Sequence, residues 1–235
     1  MIFAVGALAE FKVPALTSPV MDQVGLLNRT QERELVSLIY DFNRQGKAQL
    51  QILIISTLDG EPIEQASIRI VDQWKLGDEK LDNGALLLIA VNDRKIRIEV
   101  GQGLEGVIPD VYAKRIISDV IAPLFRSKQY GDGVVVAVHE MMRLVDPEFV
   151  QAQGISDEYV NTGKSSKKDG VLIFILIIFF LVFKFLSFFN PGGRGFGHRR
   201  GSGPWLGGGG FGGGSGGGWS GGGGGFSGGG ASGDW

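Results

Sequence analysis

The 235 residues carry 23 Lys and Arg against 25 Asp and Glu, for a net charge of −2, and no cysteine. Without a basic block to neutralise a phosphate backbone, a nucleic-acid binder is excluded. The missing thiols remove disulfides, thiol nucleophiles, zinc–thiolate sites and iron–sulfur clusters together. Of the 39 glycines, 25 follow Pro191, so core-building capacity is confined to about Phe11–Asp146, with the domain expected over residues 14–146. A domain of that size buries well over half of its unfolded surface and can fold alone.

Taken in chain order, Met1–Ala9 (MIFAVGALA) is apolar and ends in the small-x-small pattern Ala7-Leu8-Ala9. It is expected to be the remnant of a signal peptide, shortened because no charged segment precedes it. Asn28 is a helix N-cap signal, and Leu35, Leu38, Ile39 and Phe42 follow at helical spacing up to Gly46. Leu50–Ser56 reads as a buried strand, and Pro62 opens a second helix with Ile63, Ala66, Ile70 and Trp74 on its apolar face. Ala85–Val91 is apolar throughout, as a central strand is. Lys95–Val100 alternates, which predicts an antiparallel hairpin partner with one wet face.

Asp110 is positioned to cap the next helix, with Val111, Ile117, Val120, Ile121 and Leu124 inward, and a last helix runs from Gly131 to Val145. The order α-β-α-β-β-α-α predicts a three-layer α/β/α sandwich around a small mixed sheet. Residues 147–170 read as a linker. Val171–Phe189 is apolar on every face except for Lys184 near its end. Nineteen helical residues rise roughly 28 Å, which predicts one transmembrane helix. Lysines and arginines flank it almost evenly, so charge does not set its direction. With an export signal, the domain is expected in the periplasm or outside the cell and the tail in the cytoplasm. Residues 190–235 form a low-complexity tail, expected to be disordered coil because glycine is costly to order and few aliphatic side chains offset it.

Gly101-Gln102-Gly103-Leu104-Glu105-Gly106 matches the dinucleotide pattern G-x-G-x-x-G. No helix opens inside it and no ribose-binding acid follows at the right distance, so a nucleotide cofactor is not expected. The domain's single histidine, His139, sits mid-helix with no nucleophile motif beside it, which argues against Ser/His catalysis. The acids Asp22, Asp82, Glu105 and Asp110, with Asn83, fall in loops near strand ends, where α/β sheets build sites. Oxygen ligands of this kind suit a hard divalent cation. Caps and turns are the alternative use for them.

Five stretches together resemble the TPM domain, also called the photosystem II repair or thylakoid acid phosphatase domain. Val20–Leu27 (VMDQVGLL) resembles the family's V-x-D-x-A-G-L-L opening, with Val24 in place of alanine. Asp72–Gly77 (DQWKLG) resembles its W-x-(L/I)-G turn. Asp82-Asn83-Gly84 before a leucine-rich strand resembles D-N-G-x-L-L-L. Val100–Gly106 (VGQGLEG) resembles V-G-x-G-L-E-G, and Ile108-Pro109-Asp110 the following (L/I)-x-D. The resemblance runs over about Pro14–Leu144.

It implies an α/β/α fold and a calcium-type metal site among Asp22, Asp82, Asn83, Glu105 and Asp110. It also implies a weak acid phosphatase activity described for plant relatives, for which Lys80, Arg94 or Arg115 are the available cations. The leading expectation is a membrane-anchored, calcium-binding module of the cell envelope, serving assembly or quality control of membrane proteins with an envelope protein as partner. The alternative is a metal-dependent phosphomonoesterase.

Overall fold

The computed structural model describes residues 11–154 and 219–235. The leader at Met1–Ala9, most of the linker and the apolar segment Val171–Phe189 lie outside the described residues. Among those described, no helix is long and apolar enough to cross a membrane.

The elements run β1 (Val20–Asp22), α1 (Arg29–Arg44), β2 (Gln49–Ile55), α2 (Ile63–Trp74), β3 (Gly84–Ala90), β4 (Lys95–Gly101), α3 (Asp110–Arg115), α4 (Ala122–Arg126), α5 (Tyr130–Val145), α6 (Pro147–Ala152) and β5 (Phe226–Asp234). The strands form one sheet in the order β1-β2-β3-β4-β5. β1, β2 and β3 are parallel, whereas β3–β4 and β4–β5 are antiparallel.

Local chemistry accounts for the element ends. Asn28 caps α1 by accepting from Thr30 and Gln31 N–H, and Gln31 reaches back to the Asn28 N–H, completing a capping box. The helix of residues 110–126 carries a π-turn at Ile116–Ile121, where the Ala122 N–H reaches Ile117 O. Pro123 lies just beyond and has no N–H to continue the α-helical ladder. Asp146 caps α6 through the Phe149 N–H, and α6 buries Phe149 and Val150. The folded unit therefore extends past residue 146, into the stretch expected as linker.

Both sheet faces are covered. On one, Ile52, Ile54, Leu87, Ile89, Ile96 and Ile98 pack with Leu35, Ile39 and Phe42 of α1, Phe125 of α4 and Val134, Val138 and Met141 of α5. On the other, Leu53, Ile55, Leu86 and Leu88 meet Ile63, Ala66, Ile70 and Trp74 of α2, with Phe11 and Val13 alongside.

Two expectations are corrected here. β4 has no wet face: Arg97 is 7% exposed and Glu99 0%. The Arg97 Nε donates to Glu99 Oε2 at 2.8 Å, and the Ser67 hydroxyl of α2 donates to the same oxygen at 2.7 Å. The alternation of polar and apolar residues is real, but α2 covers the polar side, and the charges face each other instead of water. The second correction concerns the tail. Residues 226–234 are not coil but the fifth strand, with Ala231 opposite Ile98 and Asp234 opposite Lys95.

Removing one member of a buried ion pair strands the other charge and typically costs about 3–5 kcal/mol. Glu99→Leu is therefore expected to lower unfolding stability by that order in a urea titration. The joint Arg97→Leu/Glu99→Leu variant is expected to regain most of the loss.

Candidate functional site

The loop before β3 and the turn after β4 touch backbone to backbone. Gly103 N–H donates to Asp82 O at 3.0 Å, and a Cβ on Gly103 would stand 1.8 Å from Leu81 O. The glycines of the G-x-G-x-x-G match thus serve close chain approach, not a pyrophosphate. A short 3-10 turn, Gln102–Leu104, follows β4 in place of the helix that a dinucleotide needs.

The five candidate ligands do not form one cluster. Asp22 lies at the C-terminal end of β1, on the far edge of the sheet, while Asp82 lies before the N-terminal end of β3. A strand of that length separates them by roughly 20 Å along the sheet. Asp22 organises its own loop, accepting from the Val24, Gly25 and Leu27 N–H groups at 2.8–3.0 Å. Asn83 is buried and structural: its Oδ1 accepts from Asp78 N–H and its Nδ2 donates to Gly46 O. Asp110 is the first residue of α3, not its cap; Pro109 holds the cap position and no side chain bonds there.

Asp82, Glu105 and Asp110 do share a role. Each accepts from the C-terminal segment. Gly225 N–H donates to Asp82 Oδ1 at 2.6 Å, the Ser227 hydroxyl to Glu105 Oε1 at 2.5 Å, and Gly230 N–H to Asp110 Oδ1 at 2.7 Å. Arg97 Nη2 donates to Gly228 O and Nη1 to the Ser232 hydroxyl, while Lys114 Nζ donates to Ser232 O. Carboxylates thus accept from the strand's N–H and hydroxyl groups, and cations donate to its carbonyls and to the Ser232 hydroxyl oxygen.

Aromatic residues hold both ends. Trp219 meets the Tyr40 ring edge-on at 4.8 Å and donates its indole N–H to Gln51 Oε1 at 2.6 Å. Trp235 meets Phe125 at 4.8 Å. Sequence reasoning missed β5, Glu64 and Arg97. The available signal was the spacing of Trp219, Phe226, Ala231 and Trp235 among the glycines.

The arrangement does not fit a cation while β5 is in place. Asp82, Glu105 and Asp110 each hold a tail donor, Asn83 and Asp22 serve their own loops, and among the described residues no three Asp, Glu or His gather closely enough to bind metal. Of the cations expected beside the acids, Lys80 precedes Asp82 by two residues, and the other two lie elsewhere. Arg94 lies in the β3–β4 turn, at the opposite end of the hairpin from Asp82, and Arg115 stacks over the Tyr112 ring at 5.6 Å. His139 of α5 faces α1, sharing a cavity with Glu34, Leu38 and Asp41; burial pushes its pKa down.

Glu64 of α2 is held below the usual carboxylate range, first by the Ser232 hydroxyl, with Arg97 and Lys95 adding to it against a smaller opposing effect of burial. A carboxyl with a lowered pKa in the docked state favours docking while ionised. That contribution is complete above its free-state pKa and is lost as pH falls through the docked-state value. Contact between tail and domain is therefore expected to weaken on acidification below the ordinary glutamate range. Fluorescence of Trp219 and Trp235 across an acid titration checks this, and Glu64→Gln should flatten the low-pH part of the curve.

The TPM domain family matches residues 20–144. The solution NMR structure of the N-terminal domain of a P. gingivalis protein is 31% identical, with a TM-score of 0.53 over 57% of this chain and 85% of that one. The NMR structure of the BA42 protein from the psychrophilic bacterium Bizionia argentinensis is 18% identical, with a TM-score of 0.45 over 54% and 86%. No curated protein matches. The matched segment takes in every element from β1 through α5, together with the loops that carry Asp82, Glu105 and Asp110, and the chain belongs to the TPM domain family.

Proposed function

We propose that this chain is a membrane-tethered TPM module of the cell envelope that works by holding protein segments, in the assembly or quality control of membrane proteins. The observation that carries the reading is the pairing of the β4 edge with an added strand, β5, flanked by Asp82, Glu105 and Asp110 from neighbouring loops and α3. Each of these acids accepts from an extended segment, the geometry of peptide recognition by strand addition. The length of Val171–Phe189 and its apolarity, broken only near its end by Lys184 and Ser187, support the tether. The small-x-small site at Ala7–Ala9 supports export of the domain.

Phosphomonoester hydrolysis is the competing activity. Charge clamps are what such a reaction needs; Arg94 lies at the far end of the hairpin from Asp82, which leaves Lys80, two residues before it, as the nearest of the expected cations in sequence. The full chain is expected to show no steady-state rate above background with a generic aryl phosphate. A rate that Asp82→Asn abolishes would overturn the binding-module reading.

Calcium is a second reading, favoured by the exposed and half-buried carboxylates at Asp82, Glu105 and Asp110. Strand and cation draw on the same oxygens, so their binding is expected to be mutually exclusive. Calorimetry on the full chain is expected to give tighter calcium binding in Gly230→Val, which weakens the strand, than in the wild type. Equal affinity in both would remove the competition, and no binding in either would leave these acids as strand acceptors alone.

A further inference from the structure

We propose that the β4 edge is a sequence-reading site for an extended, glycine-rich strand ended by tryptophan, filled by the chain's own residues 219–235, which holds the tail on the same side of the membrane as the domain. The inference goes beyond the envelope-module reading and limits it: residues 219–235 reach this edge only if the chain does not cross the bilayer an odd number of times between domain and strand, so it is a single crossing at Val171–Phe189, not membrane anchorage, that the inference excludes.

Main-chain pairing alone would accept almost any extended peptide. Here the side chains discriminate. A Cβ on Gly230 would stand 1.9 Å from Ile98 O, and Gly230 has φ +120°, a conformation that side chains oppose. A Cβ on Gly221 would stand 2.1 Å from Trp74 O. The glycines are thus required by close approach to the domain's backbone. Between them, Phe226 packs on the α2 side of the sheet and Ala231 is buried on the other side. Trp219 and Trp235 anchor the two ends. A bulge between Val100 and Gly101 turns Ser227 toward Glu105 and brings Gly228 O to Arg97.

A strand hydrogen-bonded to a sheet cannot be separated from it by a bilayer. This departs from the expectation of an outside domain and a cytoplasmic tail. The site selects a strand that remains on the domain's side, and the contacts of residues 219–235 supply affinity for one such strand already present in the chain.

The natural absence of cysteine makes disulfide trapping clean. Lys95 and Asp234 are exposed and directly opposite in the β4–β5 ladder. Such pairs sit about 4.5–5.5 Å apart at Cα, within disulfide range. The full chain carrying Lys95→Cys and Asp234→Cys, oxidised mildly in the membranes of producing cells, is expected to run mostly as a fast-migrating, internally linked monomer. Lys95→Cys with Ser227→Cys, at opposite ends of β5, should stay reduced.

Adding Gly230→Val to the first pair is expected to cut linking roughly tenfold, about 1.4 kcal/mol of docking. A membrane-impermeant thiol reagent on intact cells should label Lys95→Cys and Asp234→Cys alike in the reduced single variants. Labelling of one and not the other overturns the same-side placement. Linked dimers without linked monomer overturn the assignment to the chain's own strand. Full linking in Gly230→Val overturns the glycine reading.

Discussion

The structure turns on the outer edge of β4. A strand in that place presents a row of unpaired N–H and C=O groups, a template for association that folded proteins cover or blunt. This one also carries Arg97 and Glu99 beneath α2, nearly sealed from water. An ion pair in such a place is tolerable only when the remaining donors find acceptors. β5 supplies both needs: it pairs the edge, and it offers Gly228 O and the Ser232 hydroxyl to the guanidinium. The covered edge and the satisfied arginine are one arrangement, and loss of the strand would disturb both.

Most of the frame was legible because its signals are local. Asn28 with Gln31 marks the start of α1 through a capping box that needs only four residues of sequence. The apolar run of β3 reads as a strand covered on both faces, and it is. What failed was non-local. β1 is three residues long and owes its place to pairing with Ile52–Ile54 on β2, which no periodicity in Val20–Asp22 reveals. The alternation in β4 correctly separated two faces, but the pattern cannot tell water from a serine of α2. Arg97 and Glu99 two residues apart on one face were the clue that this polar side pairs internally.

The tail was misread for a physical reason. Its composition argues for coil because ordering glycine is costly and little apolar surface is gained. That argument assumes the segment must stabilise itself. As an added strand it uses a partner already folded, and the small side is an advantage, since any larger residue at Gly230 would collide with β4. The four hydrophobic positions that remain, Trp219, Phe226, Ala231 and Trp235, each meet a pocket or ring of the domain. Low complexity here is the mark of close fit.

The same edge changes what the acidic loops mean. Asp82, Glu105 and Asp110 were singled out as hard ligands for a cation, and their chemistry permits that. Yet a carboxylate facing a backbone N–H or a hydroxyl is itself a strong, charge-assisted acceptor, and three of them spaced along a strand fix its register. Asp22, at the other edge of the sheet, does the same work for its own turn. The candidate residues therefore share one habit, the capture of nearby N–H and hydroxyl donors, before any metal is considered. A cation entering this edge would have to displace a strand held by main-chain pairs, three carboxylates and two tryptophans.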